Sequence, residues 1–302
     1  MAVPSSSTLG TLAVVVACVL WGTTGTAASF LPDDVSPLAT GASTMGIGGI
    51  LLLLATPRGA MTAIRSGASR RWLLIGAVGV VIYPLAFYSS MDLAGVAIGN
   101  VVSLGSGPVF AAILEWLWER RRLSTRWLVA TMIAVAGIIL LGTGRHASGA
   151  AAEVVPGVLL GLLAGLAYAL STYAATRAIG EGHAGRAVMG GMFGIGAVVL
   201  LPVLLVTGAP LLQSPQSVGI AAYLAIGPMF VAYLLFGFGL TFLRSSVATT
   251  VTLIEPFVAT ILAVVVVGER LAPVGWIGLL LIMIGVTVLV AARQPRISPE
   301  PL

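Results

Sequence analysis

Lysine is missing from this chain altogether, and its fifteen basic residues are all arginine. A phosphate-cradling Gly-rich loop that ends in Lys is therefore absent, so any work the chain does must draw on gradients or exchange rather than on ATP held in that way. Cysteine occurs once, at Cys18. One cysteine can form no intrachain disulfide and no Cys-based metal site, and a free cysteine in an apolar run reads as a packing residue. The two histidines, His146 and His183, fall in connections between apolar runs, and no Asp lies in the interior of such a run. Ser106, in Leu104-Gly105-Ser106-Gly107, has no internal histidine partner. A membrane-embedded enzyme, such as an intramembrane protease or lipid transferase, would need a nucleophile and base or paired acids at that depth. The chain is thus read as no enzyme, with no cofactor and no metal.

Charge is the other scarcity. Charged residues make up 8% of the chain, hydrophobic residues 58%, and the mean hydropathy is +1.09, against about 25% charged in an ordinary soluble domain. No soluble fold can hide that much apolar surface, and uncharged runs of about 20 residues, each long enough to cross a roughly 30 Å hydrocarbon core, recur along the sequence. The lipid bilayer is therefore the solvent for most of the chain. A net charge of +5 would suggest nucleic acid in a soluble protein, but the arginines sit in short connections between apolar runs. They report orientation in the membrane, and no nucleic-acid partner is expected.

Hydropathy and breaker residues place spans near 9 to 30, 37 to 56, 72 to 91, 95 to 118, 126 to 143, 156 to 178, 186 to 207, 217 to 240, 246 to 267 and 273 to 292. Pro32 and Pro37 bracket the first connection, Pro57 closes the second span, and Pro210 with Pro215 marks the loop before the eighth. The seventh span is the weakest helix by propensity, because it carries Gly190, Gly191, Gly194 and Gly196. Residues 1 to 8 carry no Lys or Arg, so the first run is read as a retained helix rather than a signal peptide.

Assigning connections to alternate sides sorts the arginines. One side collects Arg58, Arg65, Arg70, Arg71, Arg120, Arg121, Arg122, Arg126, Arg177, Arg186, Arg244, Arg293 and Arg296, and the other has Arg145 and Arg270. This asymmetry places both termini in the cytoplasm of a multi-pass inner-membrane protein. It also checks the count, since adding or removing one span reverses every later connection.

The two halves resemble each other. Pro108, Ala111, Leu114, Leu123 and Gly137 match Pro256, Ala259, Leu262, Leu271 and Gly285 at one offset. Gly10, Leu12, Ala17 and Trp21 of the first span match Gly157, Leu159, Ala164 and Tyr168 of the sixth, and Trp72, Leu73, Ile75 and Gly76 match Tyr223, Leu224, Ile226 and Gly227. Each half holds five spans, an odd number, so the second must enter the membrane upside down relative to the first. This is the inverted-repeat pattern of many secondary transporters. The alternative is a shared composition without such a relation. The expected fold is an all-α integral membrane protein of ten transmembrane helices, built as two inverted five-helix repeats around a central cavity. Its parts are a cytoplasmic tail at 1–8, a first repeat at 9–143, an outer linker at 144–155, a second repeat at 156–292 and a cytoplasmic tail at 293–302.

Several stretches together carry a resemblance: Leu20-Trp21-Gly22, Val96-Ala97-Ile98-Gly99-Asn100, Gly107-Pro108-Val109-Phe110, Glu255-Pro256-Phe257 and Gly268-Glu269-Arg270-Leu271. In their order and spacing the chain resembles the ten-helix, EamA-type branch of the drug/metabolite transporter superfamily over residues 9 to 292. The resemblance implies that spans one, three, four, six, eight and nine surround the cavity. It further implies export or exchange of amino acids, other metabolites or drugs. The first-half counterpart of the Gly268-Glu269 corner departs from the pattern, reading Trp118-Glu119-Arg120-Arg121-Arg122.

Glu255 is the first candidate for a working residue. A charge near mid-span costs about 2.5–3.5 kcal/mol on insertion scales, so it should face the bundle interior or water, where it can bind a proton or an amine. The competing reading is a structural carboxyl that steadies a kink at Pro256. Pro108 and Pro256 occupy equivalent places and are candidate hinges, each freeing a backbone carbonyl. Asn100, Ser103, Ser106, Thr250 and Thr252 could offer hydrogen bonds, although Ser and Thr often bond their own helix. Trp21, Tyr83, Phe87, Tyr168, Tyr233 and Phe236 are candidate cavity aromatics, with helix packing as the alternative. Trp72, Trp116, Trp118, Trp127 and Tyr223 lie near span ends and read as interface anchors. Glu115 and Glu119 read as a solvated cluster beside Arg120 to Arg122, and Asp33 and Asp34 as a hydrated outer loop.

The expected activity is gradient- or exchange-driven export of small organic metabolites, such as amino acids or amphipathic drugs. Partners are the solute, the bilayer, and a proton or counter-substrate as the candidate coupling species. An uncoupled facilitator or pore is the alternative; it would pass solute without saturation, and the absence of charge rings argues against an ion channel.

Overall fold

The computed structural model describes residues 6–94, 96–120, 125–143, 154–267 and 272–291. The side chain of Asn100, the Arg121–Leu123 turn, Arg145, His146, most of the 144–155 linker, the Gly268–Leu271 corner and the tail at 293–302 lie outside them. The described residues are helical almost throughout, with no strand among them. A backbone in hydrocarbon must satisfy its polar groups internally, and a helix does so within one segment. Seven helical segments among the described residues are long and apolar enough to cross a membrane, and Thr125–Gly137 and Pro273–Gly285 are shorter apolar helices. The chain is a multi-pass membrane protein.

In the first half, α1 (Ser6–Gly22) stops at Thr23 and a short α2 (Thr24–Ala28) follows. The 9 to 30 span is therefore interrupted. The Thr23 hydroxyl donates to the Leu20 carbonyl at 2.6 Å and pairs with the Tyr223 hydroxyl at 2.6 Å. Next, α3 (Pro37–Ala55) starts where the Ser36 side chain accepts from the Ala39 amide at 3.1 Å, with Pro37 in the first turn. An unforeseen amphipathic helix, α4 (Pro57–Arg65), buries Ala60 and Ala63 against the body and keeps Arg58 and Arg65 at its ends. Then come α5 (Gly67–Ala94), α6 (Val96–Glu119) and α7 (Thr125–Thr143). Helix α6 runs unbroken through Pro108 and ends at Arg120, whose φ of 51° is the left-handed geometry that stops a helix.

The second half comprises α8 (Val154–Gly180), α9 (Gly185–Thr207), a 3₁₀ turn, α10 (Pro215–Leu224), a π-helical stretch Ala225–Val231 and α11 (Ala232–Gly239). The π stretch contains Pro228, which lacks an amide to donate, and the wider turn absorbs that misfit. Helix α12 (Ser245–Val251) ends two residues before α13 (Ile254–Leu262), which passes through a π stretch at Ala263–Val267. The ninth segment is thus discontinuous at Thr252 and Leu253, ahead of Pro256 rather than at it, and α14 (Pro273–Ala291) follows.

Packing relies on close backbone approach, because lipid tails are as apolar as leucine and offer no hydrophobic drive between helices. The main pairings are α5 with α8, α3 with α9, α7 with α14, α6 with α8, and α1 with α11 and α13. A Cβ on Gly137 of α7 would lie 2.6 Å from the Gly278 carbonyl and 2.8 Å from the Ile282 amide nitrogen of α14. A Cβ on Gly285 would lie 2.6 Å from the Ala130 carbonyl and 2.9 Å from the Ala134 amide nitrogen. Each contact is the other's counterpart at the sequence offset that pairs Gly137 with Gly285. They also run in opposite senses, so α7 and α14 are antiparallel. Likewise, Gly165 of α8 abuts the Ser103 carbonyl of α6, while Cys18 of α1 donates to the Val251 carbonyl of α12 at 3.8 Å. The glycines of α9 are contact points rather than weaknesses. Beside Gly190 stands the Leu52 carbonyl of α3, and beside Gly196 the Val80 side chain of α5.

Candidate functional site

The helices enclose a cavity of about 390 Å³. Its wall comes from both halves of the chain: Trp21 and the Thr24 to Ser29 turn, Thr44 and Met45 of α3, Tyr83, Phe87, Tyr88 and Met91 of α5, Leu104 of α6, Tyr168 of α8, Pro228, Met229 and Tyr233 around α11, and Glu255 and Ala259 of α13. Gly25 and Ser29 are the exposed residues of this lining, so the mouth lies at the end that holds the end of α1 and the start of α3. Asp33, Asp34 and Asp92 are exposed at that same end. The described arginines belong to the opposite end.

The rings of the wall form one connected belt. Trp21 packs on Tyr233 at 4.9 Å and on Phe236 at 5.2 Å, Tyr83 on Phe87 at 5.3 Å and on Tyr168 at 5.7 Å. Trp21 and Tyr83 thus join the second half, and Tyr168 and Phe236, stacked at 6.5 Å, link those two contacts within it. The Tyr168 hydroxyl donates to Thr252 Oγ1 at 3.2 Å, which ties α8 to the gap between α12 and α13. That gap carries Glu255 into the first turn of α13, where the helix dipole favours negative charge, with Pro256 in a position that needs no amide. Glu255 is partly accessible through the cavity, and its carboxylate has no hydrogen-bond or ion-pair partner among the described residues.

Of the candidates named from sequence, Trp21, Tyr83, Phe87, Tyr168, Tyr233 and Glu255 line one cavity. Phe236 does not; it is 2% exposed and packs behind Trp21 and Tyr168. Ser103 sits at the α6 and α8 contact, with a buried hydroxyl that has no partner among the described residues. Ser106 bonds its own helix through the Ser103 carbonyl, while Thr250 pairs with Thr131 across helices. The Asn100 side chain is outside the described residues, and Pro108 and Pro256 are buried away from the lining. Sequence reasoning missed Tyr88, Met91, Thr44 and the Thr24 to Ser29 turn. Tyr88 falls one residue from Phe87 on the same helix and was legible as a deep aromatic, but the turn became part of the wall only because α1 breaks at Thr23.

At the arginine-bearing end Glu115 and Glu119 pack into a polar and aromatic cluster rather than a solvated one. Glu115 is 2% exposed, accepts a hydrogen bond from Ser245 at 2.7 Å, and meets Arg244 at 3.4 Å. Glu119 faces Arg177 at 3.6 Å and accepts from the Tyr173 hydroxyl at 3.4 Å. The guanidinium of Arg177 lies over the Trp72 ring, 5.4 Å from its centroid, and Tyr173 packs edge-on to the same ring at 5.9 Å. Trp72 and Trp127 are buried, contrary to the reading of both as interface anchors, whereas Trp116, Trp118 and Tyr223 are exposed. For Glu115, Glu119 and Trp72 the partners at the helix end come from the other half of the chain.

The sequence profile of the EamA-like transporter family matches residues 8–143 and again residues 155–291. An uncharacterized transporter, YwfM, of Bacillus subtilis is 34% identical over 291 residues, covering 96% of each chain. An uncharacterized transporter of Archaeoglobus fulgidus is 27% identical over 190 residues, covering 62% of this chain and 64% of its own. A solved crystal structure superposes with a TM-score of 0.76 at 21% identity, over 92% of this chain and 95% of the other.

Proposed function

The chain belongs to the EamA-like transporter family, and we propose on that footing that it is a secondary transporter working by alternating access about the cavity. Ten spans form two inverted five-helix repeats, at 9–143 and 156–292, with both termini cytoplasmic in an inner membrane. The solute is a small organic metabolite or amphipathic drug, and export is its direction. The reciprocal Gly137 and Gly285 contacts, made across antiparallel helices, support the repeat. They are what a two-fold axis lying in the membrane plane produces.

The observation that carries the reading is a cavity walled by both halves of the chain, with its exposed lining at the arginine-poor end, while at the opposite end Glu115 is buried against Ser245 and Arg244. A transporter needs two such ends that open in turn, and an uncoupled pore needs neither to close. In the alternate state α6 would part from the Arg244 and Ser245 corner. The test is counterflow in liposomes that hold the purified protein and a compound identified by thermal shift among amino acids, amines and drugs. Accelerated exchange of label against the same unlabelled compound supports alternating access. Non-saturating flux with no counterflow points to the pore.

A further inference from the structure

The charge inventory of the cavity is one-sided. Among the described residues that line it, Glu255 is the one ionisable group that can carry charge near neutral pH, and no Arg or His faces it. The arginines nearest the closed end, Arg244 and Arg177, are already engaged with Glu115 and Glu119. Much of the rest of the wall is aromatic or thioether-bearing, with rings from Trp21 to Tyr233 and the sulfurs of Met45, Met91 and Met229, and its other polar groups are the neutral hydroxyls of Thr24, Thr26, Ser29 and Thr44. An aromatic ring presents a negative face, and several such faces around a carboxylate make a site for a cation whose charge is spread and weakly hydrated. The same end of the molecule carries the exposed carboxylates of Asp33, Asp34 and Asp92, and negative charge at that end raises the local concentration of cations.

Resting on the transporter reading above, we propose that the transported solute is a monovalent organic cation, an amine or quaternary ammonium with an attached apolar group, whose nitrogen sits at Glu255 within the Trp21, Tyr83, Tyr168 and Tyr233 rings. Size limits it further. A volume of 390 Å³ equals that of about a dozen water molecules at ~30 Å³ each, which suits a solute with roughly that many non-hydrogen atoms. A free amino acid fits less well, since its carboxylate would enter a desolvated, negatively lined space without a cationic partner. Cationic drugs and amines thus fit the cavity better than zwitterions do.

The probes are benzyltrimethylammonium, the equally sized but net-neutral benzyldimethylamine N-oxide, and zwitterionic phenylalanine. Binding to the purified protein is read by calorimetry and exchange by counterflow. The expected result is that benzyltrimethylammonium binds at least tenfold more tightly than either competitor and shows counterflow. E255Q, which keeps the shape of the side chain, should weaken its binding tenfold or more; E255D should restore part of the loss; G219A, outside the lining and with nothing within 4 Å of its added Cβ, should change it less than threefold. Equal or tighter binding of the N-oxide or of phenylalanine, with counterflow, overturns the cation assignment and leaves the transporter reading standing. Full binding of the cation by a folded E255Q variant overturns it as well. Binding of benzyltrimethylammonium with no counterflow of any probe separates the two in the other direction, keeping the cation site and removing the transporter.

Discussion

Removal of one hydroxyl, in S245A, should tilt the protein toward the state in which its arginine-bearing end is open. Ser245 donates to the Glu115 carboxylate at 2.7 Å, and both residues are buried, at 1% and 2% exposure. A hydrogen bond to a charged acceptor contributes about 1.5–3 kcal/mol net. If the α6 and α12 ends part when the arginine-bearing end opens, the bond exists in one state and not in the other. Its whole contribution then falls on the equilibrium between them. At 1.4 kcal/mol per tenfold, the ratio of outward-open to inward-open molecules should drop by roughly 10- to 100-fold. A cysteine at Ala259, inside the cavity, reports the change when labelled from outside with an impermeant maleimide, and the buried Cys18 contributes little background. Labelling should slow in S245A and recover in S245T, which keeps the hydroxyl. Unchanged labelling in a stably folded S245A would refute the idea that this contact holds the inner end shut.

Other consequences follow from individual contacts. E255Q should insert and fold normally yet lose or decouple flux in vesicles, and normal flux would remove Glu255 from the mechanism. G137L and G285L should destabilise alike, by about 1–3 kcal/mol from overpacking, because their would-be Cβ atoms meet the equivalent Gly278 and Ala130 carbonyls at 2.6 Å; G25A and G219A, with nothing within 4 Å, should leave the melting temperature in detergent unchanged. Y168F removes the 3.2 Å bond to Thr252 and should cost about 0.5–1.5 kcal/mol of thermal stability, with E255Q adding less than its own single effect if the gap between α12 and α13 loosens. A double-mutant cycle on melting temperature measures that coupling.

Much of the architecture could be read in one dimension because the bilayer imposes it. Spans of apolar residues, prolines at their starts and arginines in their connections are local features, and hydrocarbon leaves a chain few ways to satisfy its backbone. Hence the helices begin and end close to the expected positions: α3 at Pro37, α9 at Gly185 and α14 at Pro273. The pairing of Pro108 with Pro256 and of Gly137 with Gly285 was visible in the same way, since a repeated offset needs no structure to detect. What could not be read was which face each side chain turned and what the neighbouring helix did with it. Almost every residue of these helices is apolar on all sides, so periodicity carries little direction. Thus Trp72 and Glu115, both at span ends and both expected to meet headgroups or water, are buried by partners from the second half of the chain. Phe236 and Tyr233, three residues apart, differ in that only Tyr233 lines the cavity. The break at Thr252 and Leu253, which puts Glu255 in a helical first turn, coincides with a long-range bond from Tyr168 that no local pattern shows. The sequence alone determined a multi-helix membrane protein and the residue types at its core; tertiary packing decided which of them share one space, because in lipid the fit of backbone on backbone, rather than escape from water, selects each helix's face.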